Sequence, residues 1–310
     1  MKSRRKIRYA VVGLGHIAQA AVLPAFRNAK SNSELVALVS GNEKKLRQLS
    51  RRYKVKLTAT YDRYEDLLES GAIDAVYIAT PNTDHCWFAE RAAEKGVHVL
   101  CEKPLAGDQE SCHSMIRKAR DNKVQAMVAY RLHFDPANLK AVEIAQSKKL
   151  GELRFFSSIF SFSIQDEDSI RLKVDKAGGP LHDIGVYCIN AARYLFRDEP
   201  TEVFAFAATN PHDGRFEEVD EMLSVLMKFP HNRLAQFTCG FGATPTARYE
   251  LVGTRGALSL NSAYEYTSPM EMTITVKEKT RRLKFKKKDQ FGPEISYMHM
   301  HLTGVKIFSR

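Results

Sequence analysis

A phenol and a carboxylate lie four residues apart in AGGPLHDIGVYCINAARYLF, residues 177–196. The spacing of apolar residues after the two glycines predicts an amphipathic helix, on which Asp183 and Tyr187 share one face, one turn apart. A phenol with a pKa of about 10 is a poor base at neutral pH, but a nearby ammonium group favours the phenolate. Asp183 and Tyr187 therefore predict a proton-transfer site, provided that another part of the chain supplies a cation.

The candidate cation is Lys103, in VLCEKPLA. Because it precedes Pro104, Lys103 is predicted to be extended at the end of its strand. Ligands bind at the carboxyl ends of strands in open α/β sheets, so the lysine is predicted to point into a cleft. The alternatives are a surface lysine without a role and, for Asp183 and Tyr187, a solvated carboxylate beside a half-buried phenol.

The first part of the chain alternates between two patterns. Helix-period stretches separate short apolar runs, which are IRYAVV, ELVALV, DAVYIAT, VHVLC and VQAMVAY. Strands that alternate with helices form a parallel sheet with helices on both faces. Residues 1–131 are therefore predicted to form an α/β Rossmann domain with a doubly wound parallel sheet, and Trp87 is predicted to lie in its core.

The first strand leads into GLGHIAQA, which matches G-x-G-x-x-G/A with Ala18 at the third position. In this pattern two glycines form a tight turn and let the backbone approach a pyrophosphate at the start of a helix. Because the motif follows a strand and opens a helix, it predicts a dinucleotide site; a glycine turn without a ligand is the alternative. The predicted contacts here are Gly13, Leu14, Gly15, His16 and Ile17.

The end of the second strand, VALVSGNEKK, bears on the choice of dinucleotide. An acidic residue at this place binds the ribose 2′-hydroxyl of NAD and repels the 2′-phosphate of NADP. Ser40 stands there instead, so the segment favours NADP. Glu43 keeps NAD open, because its carboxylate could turn back onto the ribose. The predicted contacts are Ser40, Gly41, Lys44 and Lys45.

Other predicted contacts follow later strands, at the same edge of the sheet. For the cofactor they are Thr80, Pro81, Asn82, His85 and Arg131. For the substrate they are Tyr130, Arg131, His182 and Asp183. Packing and salt bridging are the alternative for Tyr130 and Arg131, and a solvent-facing ring is the alternative for His182.

The second part of the chain has a different sequence pattern. Eight strand-like runs follow one another with short turns, from RFFSSIFSFSI to RRLKFK, and short connections favour antiparallel pairs. The helix that carries Asp183 and Tyr187 is predicted to cover one face of this sheet. Residues 132–310 are therefore predicted to form an α+β domain with a large, mostly antiparallel open sheet.

Composition narrows the class of protein. The net charge of +11 is concentrated near the two ends, in KSRRKIR and KEKTRRLKFKKK, and no nucleic-acid-binding motif accompanies it. The five cysteines have neither C-x-x-C nor metal-ligand spacing, which predicts reduced thiols and no metal site. No apolar run approaches the ~20 residues that span a bilayer. We therefore expect a cytoplasmic protein with neither nucleic-acid nor membrane partners.

Over residues 5 to about 290 the chain resembles the Gfo/Idh/MocA oxidoreductases, in particular the glucose-fructose oxidoreductase branch. The motifs that carry the resemblance are GLGHIAQ, ATPNTDH, CEKPLA, YRLHFDP and GGPLHDIGVYCINAARYLF. It implies that Glu102 and Lys103 line the nicotinamide site and that the second sheet mediates a homodimer or homotetramer. Many members carry a histidine at the position of Tyr187. Tyrosine there agrees with the glucose-fructose oxidoreductase and dihydrodiol dehydrogenase branches, in which it resembles the proton-transfer residue.

The resemblance implies an NADP-dependent oxidoreductase that transfers a hydride between nicotinamide and a sugar or polyol. In this hypothesis Tyr187 is the acid/base, Lys103 activates it, and Asp183 orients Lys103 or binds a substrate hydroxyl. A non-catalytic dinucleotide sensor and redox-assisted glycoside cleavage with bound NAD are the alternatives. After QFGPE the sequence departs from the closing helix of the family, so the second domain is expected to be short at its C-terminus.

Overall fold

The structure, a computed structural model, describes residues 5–302, with side chains through residue 298. It divides into two compact units. The first comprises the described parts of Met1–Arg131 and Asp289–Arg310, and the second comprises Leu132–Lys288. The prediction of one domain over residues 132–310 is therefore wrong at its C-terminal end.

The first unit contains, in its described residues, a sheet of six parallel strands in the order β3-β2-β1-β4-β5-β6. The strands are β1 (Ile7–Val12), β2 (Ser33–Val39), β3 (Leu57–Ala59), β4 (Ala75–Ile78), β5 (His98–Glu102) and β6 (Ala126–Ala129). Their apolar residues are buried because helices cover both faces of the sheet. The predicted doubly wound parallel sheet is confirmed.

Helices connect these strands. They are α1 (Leu23–Ala29), α2 (Glu43–Tyr53), α3 (Tyr64–Glu69), α4 (His85–Glu94) and α5 (Gln109–Asp121). A π-helical turn, Ala18–Val22, leads into α1. Side chains cap two of the helices: Asn42 accepts a hydrogen bond from Lys45 N at the start of α2, and Asp108 accepts one from Ser111 N at the start of α5.

A C-terminal helix, α8 (Phe291–Leu302), belongs to the first unit and packs against α1 and β2. Tyr9 donates a hydrogen bond from its hydroxyl to Ile295 O at 3.2 Å, and the Asn32 side-chain amide donates one to Ser296 O at 3.0 Å. The chain therefore forms a helix from Phe291 onward, and the predicted departure from the closing helix of the family stays a prediction.

The second unit contains, in its described residues, a sheet of eight strands in the order β14-β13-β12-β11-β7-β10-β9-β8. The strands are β7 (Leu153–Ser161), β8 (Glu202–Ala208), β9 (Met222–Phe229), β10 (Arg233–Gly240), β11 (Thr246–Gly253), β12 (Gly256–Asn261), β13 (Met270–Val276) and β14 (Lys279–Phe285). Neighbouring strands are antiparallel except β7 and β10, which are parallel. The prediction of a mostly antiparallel open sheet is confirmed.

One face of this sheet is covered by helices. A π-helical turn, Leu181–Gly185, packs on β10 and continues into α7 (Val186–Phe196), which packs on β7. A further helix, α6 (Pro136–Gln146), packs on α7, and its first turn is capped by Asp135, which accepts hydrogen bonds from Ala137 N and Asn138 N.

The opposite face carries exposed apolar side chains on β7, β8, β9 and β10. We call this set the open face; it consists of Phe155, Phe204, Phe206, Leu226 and Leu234. The strand register places them together, because Leu234 pairs with Phe155 and Leu226 pairs with Phe204. Within the described residues, no helix has the length and apolar character needed to cross a bilayer.

Candidate active site

The glycine turn after β1 approaches the end of β4 so closely that it excludes a side chain. Gly13 has a φ of +88°, and a Cβ placed on it would lie 2.5 Å from Ala79 O. Only glycine fits both this conformation and this separation. The two strand ends therefore meet at the predicted dinucleotide site.

Two observations fit a ligand at this turn. A Cβ added to Gly15 would meet no atom of the described chain within 4 Å, so its backbone faces open space. The hydroxyl of Thr80 is buried and has no hydrogen-bond partner among the described residues. A dinucleotide phosphate group bound at this turn would contact the open backbone and pair with the unsatisfied hydroxyl. Leu14 is buried, so only its backbone is available to a ligand, whereas His16 is exposed.

The end of β2 presents a hydroxyl where an acidic residue would select NAD. Ser40 is buried, and its Oγ accepts a hydrogen bond from Asn42 N at 3.2 Å. Lys44 and Lys45 are exposed at the start of α2. Glu43 forms an ion pair with Arg47 at 3.1 Å, one turn along the helix. In this structure the Glu43 carboxylate is therefore paired with Arg47 and is not turned back towards the place where the ribose of NAD would lie.

His85 links the two loops that follow β4 and β5. Its Nδ1 lies 2.9 Å from Pro104 O and its Nε2 lies 3.1 Å from Thr80 O, and the residue has no exposed surface. Burial lowers the pKa of His85, so the neutral ring donates to one of these carbonyls. Both ring nitrogens face the protein backbone. The structure therefore favours a positioning role for His85 over the predicted cofactor contact.

Lys103 directly follows β5, beside a buried carboxyl group. Its backbone N donates to Glu102 Oε2 at 3.2 Å, and its peptide bond to Pro104 is cis. Burial raises the pKa of Glu102, while the charge of Lys103 and the hydrogen bond from Tyr77 act in the opposite direction. The buried Glu102 side chain thus fixes the strand end from which the half-buried Lys103 extends.

Arg131 lies at the start of the segment after β6 and is only 5% exposed. Its guanidinium donates to Gln290 Oε1 and lies 5.9 Å from the ring centroid of Phe291. These contacts hold the chain before α8, so the structure favours packing over the predicted cofactor or substrate contact. Tyr130 is half-buried, and its predicted contact remains a prediction.

In the second unit, Asp183 lies in the π-helical turn and Tyr187 in the first turn of α7. Such π-helical turns inside helices occur frequently at functional sites. Arg171 donates from Nε to Asp183 Oδ2 at 2.6 Å. The pKa of Arg171 is raised by the charge of Asp183 first, and the phenols of Tyr266 and Tyr187 act in the same direction. Asp183, Tyr187 and Arg171 therefore form one electrostatic group.

Tyr187 is 6% exposed and lies among aromatic rings. Its ring centroid is 6.0 Å from that of Phe160 and 6.3 Å from that of Tyr264. His182 is half-buried, and its Nδ1 lies 3.2 Å from Gly178 O, so the solvent-facing alternative holds only in part. The ring of Tyr187 is thus held in place by the neighbouring rings of Phe160 and Tyr264.

Arg171 was not singled out by the sequence. It lies in the short 3₁₀ helix Ile170–Leu172, and a Cβ on Gly178 would lie 2.6 Å from Arg171 O. The first glycine of the GG pair therefore allows the segment that carries Arg171 to fold against the start of the helix. Within the described chain, no cluster of His, Cys, Asp and Glu residues could hold a metal ion.

Comparison with known proteins agrees with this fold. An oxidoreductase family with an NAD-binding Rossmann fold matches residues 7–130, and the GFO/IDH/MocA C-terminal domain matches residues 138–259. The chain belongs to the Gfo/Idh/MocA oxidoreductases, and is an enzyme of that class.

Several of the similar proteins are named for sugars. A D-xylose 1-dehydrogenase (NADP(+)) of Haloferax volcanii is 30% identical over 290 residues, which are 93% of this chain and 86% of the relative. An aldose-aldose oxidoreductase of Caulobacter crescentus, solved with glycerol, superposes with a TM-score of 0.92 at 32% identity and covers 97% of this chain and 90% of its own. A 3-ketoreductase of Actinomadura kijaniata, solved with NADP and TDP-benzene, superposes with a TM-score of 0.86 at 27% identity, covering 97% and 91%.

Proposed function

We propose that the protein is an NADP-dependent oxidoreductase that transfers a hydride between nicotinamide and a sugar or polyol. The observation that carries this proposal is the buried phenol of Tyr187, one helical turn from the ion-paired Asp183. A xylose dehydrogenase and an aldose-aldose oxidoreductase among the similar proteins support a sugar hydroxyl as the reacting group.

In the proposed reaction a hydroxyl group is oxidised, and the cofactor and three side chains each have one role. The bound nicotinamide takes the hydride from the carbon that bears the hydroxyl, and Tyr187 takes the hydroxyl proton. Lys103 supplies the positive charge that favours the phenolate and polarises the substrate oxygen. Asp183 orients the substrate or Lys103, and reduction reverses each step. A positioned acid/base group of this kind contributes about 10²–10⁴-fold to the rate.

The same two residue types have been substituted in the similar 3-ketoreductase. That enzyme has been solved with one tyrosine replaced by phenylalanine, and with one lysine replaced by alanine or glutamate. For the cofactor, the hydroxyl of Ser40 and the engagement of Glu43 by Arg47 support NADP over NAD. The NADP in the name of the xylose dehydrogenase supports the same choice.

We further propose a homodimer or homotetramer that forms through the open face. Contiguous exposed apolar side chains mark surfaces of association, and this face carries three aromatic rings, those of Phe155, Phe204 and Phe206. A cytoplasmic location is part of the proposal, because all five cysteines are free thiols.

The deciding experiment follows the absorbance of reduced nicotinamide while the protein is mixed with NADP or NAD and a panel of aldoses and polyols. The wild type is expected to reduce NADP faster than NAD. Tyr187→Phe is expected to lose about 10²-fold or more of kcat while its affinity for NADP stays unchanged. Wild-type turnover in Tyr187→Phe would overturn the acid/base role. Binding of NADP without turnover of any substrate would favour a dinucleotide sensor.

A further inference from the structure

Two loops of the second unit interlock around the start of the helix that carries Tyr187. They are residues 163–183 and residues 209–221, and we call them the collar. Lys173 Nζ lies 2.9 Å from Glu218 Oε1, and Val174 N donates to Glu218 Oε2 at 3.2 Å. Arg215 donates to Ile164 O at 2.5 Å. The collar therefore forms one continuous surface around Asp183.

Every lysine and arginine of the collar has an acidic partner. The four ion pairs are Arg171 with Asp183, Lys173 with Glu218, Lys176 with Asp175, and Arg215 with Asp213. A phosphate or carboxylate on a substrate would have to compete with these carboxylates for each cation. Within the described residues, each cation of the collar is thus already neutralised by a carboxylate before an anionic ligand arrives.

The charge of the collar is also negative overall. Its two segments contain ten Asp and Glu against four Lys and Arg, although the whole chain carries a net charge of +11. Most of these acidic residues are exposed. A substrate with phosphate or carboxylate groups is therefore repelled on approach, whereas an uncharged one is not.

Arg171 is the collar cation nearest to the proposed chemistry. Its Nε is bonded to Asp183, while 44% of its side chain remains exposed. A guanidinium carries five N–H donors in a fixed plane, so one edge can bind a carboxylate while the other donates to a ligand oxygen. Arginine beside a carboxylate presents donors and an acceptor together, and neighbouring hydroxyls of a sugar match both.

We propose that Arg171 contacts the substrate directly and, with Asp183, selects an uncharged polyhydroxyl compound over sugar acids, sugar phosphates and nucleotide-diphosphate sugars. This inference rests on the proposed function, because it places the substrate beside Tyr187. It separates the protein from relatives named for dTDP-sugars and places it with those named for free aldoses.

The first test compares substrates that share one sugar. D-glucose, D-glucuronate, glucose 6-phosphate and dTDP-glucose are offered to the wild-type enzyme with NADP, and D-xylose serves as a second neutral sugar. The expected result is a kcat/KM at least about tenfold higher for the neutral sugars, equivalent to about 1.4 kcal/mol. A preference for any of the anionic sugars would overturn the inference while leaving the proposed function intact.

The second test removes the guanidinium. Arg171→Gln is expected to raise KM for the neutral sugar by about 10–100-fold, the loss typical of a hydrogen bond from a charged group. Arg171→Lys retains the charge but loses the planar set of donors. Its KM for the neutral sugar is therefore expected to lie between those of the wild type and Arg171→Gln. Lys176→Gln is the matched control, since it removes another ion-paired collar cation and is expected to leave KM unchanged. All variants are expected to bind NADP with wild-type affinity.

The two proposals fail in different ways. If the wild type turns over sugars and Arg171→Gln has a wild-type KM, the role of Arg171 is wrong and the proposed function stands. If the wild type turns over no sugar, the proposed function fails. Calorimetric titration of D-xylose and D-glucuronate into the wild-type and Arg171→Gln proteins with NADP then still tests the inference. Xylose binding that is lost in the variant supports it, and equal or absent binding overturns it.

Discussion

Tyr77 donates a hydrogen bond from its hydroxyl to Glu102 Oε1 at 2.9 Å, inside the first unit. Neither residue reaches the surface appreciably, and Glu102 directly precedes Lys103. A second carboxyl group, that of Glu294 on α8, lies near enough to Glu102 that the charge of Glu102 raises the pKa of Glu294. A buried network of this kind holds the end of β5 and links it to the C-terminal helix.

We predict that Tyr77→Phe destabilises the protein. The variant leaves Glu102 Oε1 without its hydroxyl donor in the interior, and an unsatisfied buried polar group costs about 1–3 kcal/mol. Denaturant unfolding at pH 7 measures the loss. Tyr53→Phe, a change of the same kind at a half-buried position on α2, is the control. Equal stability of the two variants would show that the bond to Glu102 contributes nothing.

We predict that Glu294→Gln makes the protein more stable at pH 8. Burial raises the pKa of Glu294 well above its usual 4.5, and the charge of Glu102 acts in the same direction. A raised pKa means that its contribution to stability is full below pH 4.5 and is lost as pH rises through the folded-state pKa. Glutamine cannot ionise, so this loss disappears.

The measurement for Glu294 is the free energy of unfolding at a series of pH values from 5 to 8, about one unit apart. The wild type is expected to lose stability relative to Glu294→Gln as pH rises. Each kcal/mol gained raises the thermal midpoint by about 1.5 °C, because the entropy of unfolding grows with chain length. Glu110→Gln, at an exposed position on α5, is the control and is expected to follow the wild type. Parallel curves for Glu294→Gln and wild type would contradict the prediction.

The two glycines of the first turn are predicted to respond differently to alanine. Gly15→Ala is expected to leave the thermal midpoint unchanged, because its Cβ would enter open space, but to weaken NADP binding by about tenfold or more. Gly13→Ala is expected to destabilise the fold itself, since its Cβ would lie 2.5 Å from Ala79 O. Thermal unfolding with and without NADP separates these effects. Unaltered NADP affinity in Gly15→Ala would place the phosphates elsewhere.

The sequence predicts the strands well because each is a short apolar run with clear turn residues at both ends. It misses β3, which has only three residues, two of them exposed. It also places Trp87 in the core, whereas Trp87 is 44% exposed and packs edge-on against Phe88 at 4.8 Å. Periodicity identifies a helix with apolar residues, but the face that a large side chain takes depends on packing against neighbouring elements.

The candidate site is predicted in part. Two features of the site are local in the sequence and can therefore be predicted from it. They are the spacing of Asp183 and Tyr187 and the glycines at positions 13 and 15. Arg171 is different, because it reaches Asp183 from a short 3₁₀ helix 12 residues away. The same limit applies to His85 and Arg131, whose partners are backbone carbonyls and a side chain before α8. Such contacts depend on the tertiary fold and leave no pattern in the sequence.

We predict that charges on the open face dissociate the protein into monomers. Phe204 and Phe206 are 59% and 70% exposed on the edge strand β8, and two phenyl rings that remain in water are costly unless another surface covers them. A Phe204→Asp/Phe206→Asp double variant places two carboxylates in any interface that forms there, so burial becomes unfavourable. Light scattering after size-exclusion chromatography is expected to give a dimer or tetramer for the wild type and a monomer for the variant. Ile116→Asp, an exposed apolar position on α5, is the control and is expected to retain the wild-type mass. A double variant that keeps the wild-type mass would show that the subunits associate through another surface.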